Sequence, residues 1–365
     1  MKRKKKPVLV SVVGARPQFI KLAPLAGLLN RRFRHLVVHT GQHYDRMMSD
    51  IFFKQLKIPR ADYNLRVGSG LHGRMTAEII TRLENLLVRI QPDIVLVYGD
   101  TNSTLAGALT AAKLNIPVGH IEAGLRSHRM DMPEEINRCL TDRLAELLFC
   151  PTPEAINNLK KEGIKRGIVH SGDLMYELID LMKTGIDRNR APMEKYSLAA
   201  GEFLLITIHR AGNVDSQENL NRIVEILLGL KERVVFPVHP HSMKNLKKYK
   251  LLDRLLKVPH LVLIEPLSYL DNLTLIKNAR AVLTDSGGVQ KEAVFLGTPC
   301  LTLRDETEWV ETLGQGNSLV GLSLKKIRRN LKNPLRPGAK KSCRIKNKKP
   351  SEIIAASIKA YFRDN

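Results

Sequence analysis

The chain is poor in aromatic residues, in cysteine and in acidic side chains, and these shortages exclude several classes of protein. Aromatic residues make up 5% of the 365 residues, with one tryptophan, which indicates an aliphatic core. The four cysteines (Cys139, Cys150, Cys300 and Cys343) lie far apart without C-x-x-C spacing, so neither a zinc site nor a disulfide framework is predicted. No apolar run reaches the roughly 18–20 residues that span a bilayer. We therefore expect a cytoplasmic protein with no membrane partner.

The scarcity of acidic residues leaves 59 Lys and Arg against 36 Asp and Glu, a formal net charge of +23. Nucleic-acid binding is one interpretation of this excess. However, the basic residues cluster with little aromatic interleaving, at Lys2–Lys6, Lys244–Lys250, Lys325–Lys332 and Lys340–Lys349. This pattern favours a solvated basic surface over a nucleic-acid site, and attraction of a small anionic substrate is compatible with both.

Short apolar runs alternate with helical patterns in two series, which predicts an α/β fold with two Rossmann-like domains facing across a cleft. Residues 1–184 would form the first domain and residues 202–350 the second, joined by a polar connection over 185–201. A closing helix over 351–365 would pack back on the first domain. Strands are predicted at Val8–Val13, Leu36–Thr40, Asp93–Tyr98, Val118–Ile121, Leu147–Cys150, Ile168–His170, Phe203–Ile208, Val234–Val238, Leu261–Ile264, Ala281–Thr284 and Pro299–Leu303.

One glycine-rich pattern and the spacing of the histidines bear on possible cofactors. Gly68–Gly73 matches G-x-G-x-x-G, but it does not follow the first strand and no acidic residue ends a strand about 20 positions later. We interpret it as a flexible loop. The histidines that end strands in the second series, His209, His239 and His241, show no H-x-x-x-H spacing. The sequence therefore predicts neither a nicotinamide cofactor nor a metal.

Polar residues recur where the strands of the first series end. Arg16 could bind a phosphate, or it could be a surface arginine, and Lys21 follows one helical turn later. Asp100 could act as an acid or base, or could cap the next helix. Glu122 directly ends an apolar run, where desolvation of a carboxylate must be offset. Glu134 and Arg138, four residues apart, could form a structural ion pair.

The second series repeats the pattern with histidines and with a glycine pair. His209 and Arg210 follow one strand and His239 follows the next, although histidines at such positions are often structural. Ser286, Gly287 and Gly288 stand between a strand and a helix, where backbone N–H groups can bind an anion. Glu292, one turn into that helix, could reach a sugar hydroxyl. An ordinary strand-to-helix turn is the alternative.

Taken together, these segments resemble the non-hydrolysing UDP-N-acetylglucosamine 2-epimerases over nearly all of residues 8–322. The order and spacing of the segments carry the resemblance, since no single segment is decisive. They are Gly14–Pro24, Thr40–Tyr44, Gly99–Thr104, His120–Arg126, Pro133–Arg138, Thr207–Arg210, Pro237–Pro240, Leu283–Glu292 and Leu303–Glu308.

The resemblance implies the glycosyltransferase-B architecture, a homodimer and no cofactor. The implied reaction eliminates UDP from the substrate, giving a bound glycal, and then adds UDP back with C2 protonated on the other face. By similarity, the acid or base residues are Asp100, Glu122 and Glu134. His209 and Arg16 stabilise the leaving diphosphate, supported by Arg138 and Arg210. The residues implied in substrate binding are Arg16, Lys21, Arg138, Arg210, His239, Ser286, Gly287, Gly288, Glu292 and Arg304.

The family also suggests a second, regulatory UDP-sugar in some members, and Gln42, His43 and His239 match positions of that site. Several residues depart from the family pattern. Gln18 replaces a common Glu, as does Lys291, and Trp309–Val310 stands where Arg-Pro is common. The exact sugar therefore stays open, and a related diacetamido or uronic form is an alternative, as is a glycosyltransferase of the same architecture. The product would serve a cell-envelope polysaccharide.

Overall fold

Two parallel sheets organise the chain in the computed structural model, which describes residues 6–42, 56, 58, 60–335, 345 and 348–364. Contacts divide the chain into two units, Met1–Asp180 with Lys341–Asn365, and Leu181–Lys340. Each unit carries one sheet with helices between successive strands. This confirms the predicted α/β fold with two parallel-sheet domains.

The first unit contains a seven-stranded sheet in the order β3-β2-β1-β4-β5-β6-β7. Its inner strands are apolar because helices cover both faces of a parallel sheet. The strands are β1 (Val8–Val13), β2 (Arg34–His39), β3 (Tyr63–Asn64), β4 (Ile94–Tyr98), β5 (Val118–Ile121), β6 (Leu147–Cys150) and β7 (Ile168–His170). The helices are α1 (Arg16–Arg32), α2 (His72–Ile90), α3 (Asn102–Lys113), α4 (Pro133–Leu144), α5 (Pro153–Lys161) and α6 (Leu174–Arg188).

The second unit contains a six-stranded sheet in the order β10-β9-β8-β11-β12-β13. Its strands are β8 (Phe203–Thr207), β9 (Arg233–Pro237), β10 (Leu261–Ile264), β11 (Ala281–Thr284), β12 (Cys300–Thr302) and β13 (Asn317–Leu319). Its helices are α7 (Ala191–Lys195), α8 (Ala211–Val214), α9 (Gln217–Gly229), α10 (Pro240–Lys248), α11 (Leu252–Leu256), α12 (Tyr269–Asn278), α13 (Gly287–Leu296) and α14 (Leu324–Lys332).

The C-terminal helix α15 (Pro350–Asp364) belongs to the first unit. Its Phe362 ring lies 6.0 Å from the Phe33 ring at the end of α1. At its other end, the backbone N–H and the hydroxyl of Ser351 donate to the Glu177 carboxylate at 2.8 and 2.6 Å. Apolar and polar contacts therefore hold both ends of α15 on this unit.

The structure differs from the sequence interpretation in two places. The units divide at 180/181 and 340/341, not at the predicted 184 and 350, and the end of α6 together with α7 occupies the stretch that composition suggested as a connection. The stretch Gly68–Gly73 is not wholly a loop, because α2 begins at His72. Among the helices that the structure describes, none combines the length and apolar character needed to cross a bilayer.

Candidate active site

Two carboxylates leave neighbouring strands at the same edge of the first sheet. Tyr98 of β4 pairs with Ile121 of β5, the last residue of each strand. Asp100 comes two residues after Tyr98, and Glu122 directly follows Ile121. Because ligands bind beyond the carboxyl ends of parallel strands, this register places both side chains where a substrate would lie.

The backbone of Glu122 has a positive φ of 73°, which is uncommon for a residue with a β-carbon. Its carboxylate accepts a charge-assisted contact from Lys21 Nζ at 2.8 Å, and both side chains are nearly buried. A β-carbon built on Gly99 would lie 3.5 Å from both Glu122 Oε2 and Lys21 Nζ. The ion pair therefore lies beside the turn that carries Asp100.

Arg138 contacts different carboxylates from the one that the sequence suggested. Its Nη2 donates to Asp100 Oδ2 at 2.6 Å and its Nη1 to Glu135 Oε2 at 2.8 Å. Glu135 is buried and also accepts from the backbone of Ser127 and His128. Arg138 therefore bridges Asp100 and Glu135. Glu134 lies half-buried in the first turn of α4.

The turn that precedes Arg16 is fixed to the same region by Gln18. Gln18 Oε1 accepts from the backbone N–H groups of Gly14 and Ala15 at 2.6 and 3.0 Å. Its Nε2 donates to the Tyr98 carbonyl at 2.9 Å, a bond that a glutamate could not donate in its ionised form. Arg16 is half-buried and is the first residue of α1.

In the second unit, His209 and Arg210 are held by the buried Asp285. The Asp285 carboxylate accepts from both backbone N–H groups at 3.1–3.3 Å and from Asn213 Nδ2 at 3.0 Å. His209 Nδ1 lies 3.4 Å from Asp285 Oδ1, while about half of the imidazole remains exposed. Burial opposes ionisation of Asp285, but these hydrogen bonds outweigh it and hold its pKa below the ordinary value.

The turn Ser286–Gly288 opens helix α13, as predicted. Ser286 is the N-cap and its hydroxyl accepts from the Val289 N–H at 3.5 Å. A β-carbon on Gly287 would lie 2.3 Å from Glu308 Oε1 and 3.1 Å from Trp309 Nε1. Only glycine therefore fits at this position. Gly288 follows in the same turn, and Glu292 is buried one turn further on.

Glu308 contacts two cations of the candidate site. Arg304 Nη1 donates to Glu308 Oε2 at 2.9 Å, and Arg210 Nη2 lies 3.8 Å from Glu308 Oε1. The buried ammonium of Lys291 lies over the Trp309 ring, 3.5 Å from its centroid. Positive side chains and the start of α13 thus converge around Gly287, as an anion-binding site requires.

The described residues that match a regulatory site belong to different units. Gln42 Oε1 accepts from the Ser103 hydroxyl at 2.6 Å in the first unit. His239 is exposed and caps α10 in the second unit. His43 lies outside the described residues. In the described part of the chain, no three His, Cys, Asp or Glu side chains form a group that could hold a metal ion.

The structure thus brings Lys21, Asp100, Glu122 and Arg138 together in the first unit, and His209, Arg210, Gly287 and Arg304 together in the second. Sequence reasoning missed the buried acids that hold them, namely Glu135, Asp285 and Glu308. Asp285 carried a usable signal, because it directly follows a buried strand just as Glu122 does. Glu135 and Glu308 carried no such signal, because each has another acidic residue within three positions in the sequence and does not stand out from it.

Comparisons with known proteins extend over both units. A family model described as UDP-N-acetylglucosamine 2-epimerase matches residues 28–352. A UDP-N-acetylglucosamine 2-epimerase homolog of Methanococcus maripaludis is 50% identical over 325 residues, 88% of this chain and 91% of the relative. The UDP-2,3-diacetamido-2,3-dideoxy-D-glucuronate 2-epimerase of Pseudomonas aeruginosa is 46% identical over 323 residues, 86% of this chain and 88% of the relative. The crystal structure of Methanocaldococcus jannaschii UDP-GlcNAc 2-epimerase in complex with UDP-GlcNAc and UDP is similar with a TM-score of 0.88 and 40% identity, covering 97% of this chain and 99% of that chain.

Proposed function

Because the chain belongs to the UDP-N-acetylglucosamine 2-epimerase family, we propose that it interconverts UDP-N-acetylglucosamine and UDP-N-acetylmannosamine without releasing the free sugar. It is an isomerase of the UDP-sugar 2-epimerase class. One observation carries the reaction type. Asp100 and Glu122 leave adjacent strands at one sheet edge, and each carboxylate is oriented by its own buried cation.

The proposed chemistry moves one proton and one leaving group at a time. A carboxylate takes the proton from C2, a C1–C2 double bond forms, and the C1–oxygen bond breaks with its electron pair leaving on UDP. UDP then adds back to C1, and an acid delivers a proton to the opposite face of C2. No net oxidation occurs, so the residues need only supply general acid and base groups. Asp100, Glu122 and Glu134 are the candidates for these roles.

The departing diphosphate needs positive charge and N–H donors that are already in place. We assign this role to His209, Arg210 and Arg304 with the Ser286–Gly288 turn at the start of α13. Asp285 fixes the first two of these residues, and Glu308 fixes Arg304. The further substrate contacts in this proposal are those of Arg16, Lys21, Arg138, His239 and Glu292, with Glu292 on the ribose.

A second candidate substrate is a UDP-2,3-diacetamido uronic sugar. The relative from Pseudomonas aeruginosa bears that name and is 46% identical over 86% of this chain. The same residues would perform the same elimination, because the reacting C1 and C2 atoms are shared by both sugars. The two candidates differ only in the groups at C3 and C6, so a direct comparison of the two substrates discriminates between them.

The oligomeric state, the location and the regulation of the protein are also part of what we propose. We propose a cytoplasmic homodimer that supplies precursors for cell-envelope polysaccharide, and a second UDP-sugar that acts as an effector near Gln42, His43 and His239. Light scattering during gel filtration tests the dimer. A sigmoidal dependence of rate on UDP-N-acetylglucosamine concentration tests the effector, whereas a hyperbolic dependence would contradict it.

Proton NMR in heavy water tests the reaction. UDP-N-acetylglucosamine should give UDP-N-acetylmannosamine with deuterium at C2. D100N and E122Q should abolish turnover while UDP affinity stays within about threefold, because neither carboxylate is a proposed contact of UDP. The matched control E84Q changes an exposed carboxylate of α2 and should keep both properties. Free N-acetylmannosamine would indicate a hydrolysing enzyme, and loss of UDP affinity in D100N and E122Q would make these residues structural.

A further inference from the structure

Three successive carbonyl groups at the end of β4 each accept hydrogen bonds from side chains. These carbonyls belong to Tyr98, Gly99 and Asp100, the turn that carries the acid or base candidate. The donors are Gln18 and Thr104 to Tyr98 (2.9 and 2.7 Å), His120 to Gly99 (2.7 Å) and Asn137 to Asp100 (2.9 Å). Side chains from several elements therefore fix the backbone of this turn.

His120 is the ionisable side chain among these donors, and the proposed chemistry assigns it no role. It lies within the apolar strand β5 and its side chain is fully buried. Its Nδ1 is 2.7 Å from Asp142 Oδ1 of α4. Asp142 Oδ2 also accepts from Arg126 Nη1 at 2.7 Å and from the Gly124 N–H at 3.1 Å. A continuous hydrogen-bonded network thus joins α4 to the Gly99 peptide.

Hydrogen-bond chemistry fixes which ring nitrogen carries a proton. The Gly99 carbonyl can only accept, so His120 Nε2 must donate to it. Nδ1 lies 2.7 Å from the Asp142 carboxylate on the other side of the ring. Burial disfavours the charged form of Asp142, but His120 and Arg126 outweigh it and keep the Asp142 pKa below its ordinary value. The Nε2–H group therefore points at Gly99 while Asp142 contacts the opposite side of the ring.

The orientation of the Gly99 peptide affects where the Asp100 side chain lies. Gly99 has a φ of +64°, and its peptide leads directly into Asp100, whose carboxylate Arg138 holds at 2.6 Å. Rotation of this peptide would move the Asp100 side chain relative to its partner. A displacement of about 1 Å at a catalytic group can cost about a hundredfold in rate.

We propose that His120 is a positioning residue, which orients Asp100 for proton transfer at C2 by holding the Gly99 carbonyl while Asp142 holds its ring. This inference rests on the proposed function. It assigns to a buried histidine an effect on the chemical step that is separate from substrate binding.

Steady-state kinetics of H120A, D142N and H35A tests this assignment. H120A should lower kcat about a hundredfold with KM changed less than about threefold, and should raise the isotope effect on substrate deuterated at C2. In D142N the new amide can donate to Nδ1 and its oxygen can still accept from Arg126 and Gly124. D142N should therefore stay within about threefold of wild-type kcat. H35A removes another histidine of the same sheet and should keep kcat.

The outcomes distinguish failure of the proposed function from failure of the role assigned to His120. UDP affinity and thermal unfolding of each variant establish that it is folded. Wild-type protein that exchanges no C2 proton with any of the UDP-sugars overturns the proposed function itself. Active wild type with H120A at the wild-type kcat overturns only the role of His120. A folded D142N with a kcat as low as that of H120A also overturns this role, because holding the His120 ring in place would then not be enough for activity.

Discussion

Replacement of Gly287 by alanine should damage both stability and UDP binding through a single close approach. The new β-carbon would lie 2.3 Å from Glu308 Oε1 and 3.1 Å from Trp309 Nε1. Favourable contacts between such atoms lie at about 3.5 Å, so the carboxylate must withdraw by about 1 Å. Glu308 is 8% exposed and its other carboxylate oxygen accepts from Arg304 at 2.9 Å, so withdrawal of the carboxylate weakens that contact.

The size of the effect follows from that contact. A hydrogen bond to a charged group contributes about 1.5–3 kcal/mol, and overpacking a tight site costs about 1–3 kcal/mol. If Glu308 stays in place the site is overpacked, and if it moves the contact with Arg304 is lost, so only one of the two costs applies. We therefore expect G287A to lower the free energy of unfolding by about 2 kcal/mol. UDP affinity should fall by at least about tenfold, since the added methyl group stands in the turn proposed for the diphosphate and the displaced Glu308 no longer fixes Arg304.

Urea unfolding gives the stability, and the fluorescence of Trp309, the single tryptophan, reports UDP binding beside Gly287. The control is G212A in α8 of the same unit, where an added β-carbon meets no atom within 4 Å. In an E308A background, G287A should cost less than in wild type, because the obstacle is gone. If G287A lies within about 0.5 kcal/mol of G212A and binds UDP normally, the steric reasoning is refuted.

Three further outcomes are expected. Burial lowers the pKa of His35 from 6.5 to about 4 despite nearby Asp62, so the unfolded chain binds the extra proton as pH falls through this window. Stability measured by urea unfolding should therefore decline by about 3 kcal/mol from pH 6.5 to 4 and stay flatter in H35Q, whereas equal slopes would contradict this. D285N should cost about 2 kcal/mol and lower kcat, because an amide NH₂ would face the donors of His209, Arg210 and Asn213; a loss under about 0.5 kcal/mol in urea unfolding would be incompatible with this view. K291E should lower the free energy of unfolding more than K291M does. The double variant K291E/W309R should regain at least about 1 kcal/mol of the unfolding free energy lost in K291E, and additive effects in a double-mutant cycle would contradict this coupling.

The sheets could be predicted from the sequence to a large extent. Parallel strands covered on both faces are short, continuous apolar runs, and Val8–Val13, Val118–Ile121 and Ala281–Thr284 were predicted with the bounds that the structure shows. The edge strands β3 and β13 could not be found this way. They consist of two and three residues, and they include exposed or partly exposed polar side chains without periodicity.

The partners within the site were less accessible to sequence reasoning. Positions i+3 and i+4 on a helix are both neighbours, so spacing alone could not distinguish Glu134 from Glu135 as the contact of Arg138. The direction of Arg138 toward Asp100 is set by the packing of α4 beside β4 and β5, which is a tertiary effect. His120 was hidden inside an apolar strand, although a polar residue in a buried strand is itself a sign of a specific hydrogen bond.

Two departures from the family pattern form one contact in the structure. Lys291 and Trp309 stand where glutamate and arginine are common, and taken separately each substitution changes the charge beside the phosphate-binding turn. In the structure the Lys291 ammonium lies 3.5 Å from the centre of the Trp309 ring, and both side chains are almost fully buried. A cation over an indole can contribute about 2 kcal/mol when it is desolvated. Because each side chain needs the other for this contact, we expect a change of either residue alone to be tolerated less well than a matched change of both.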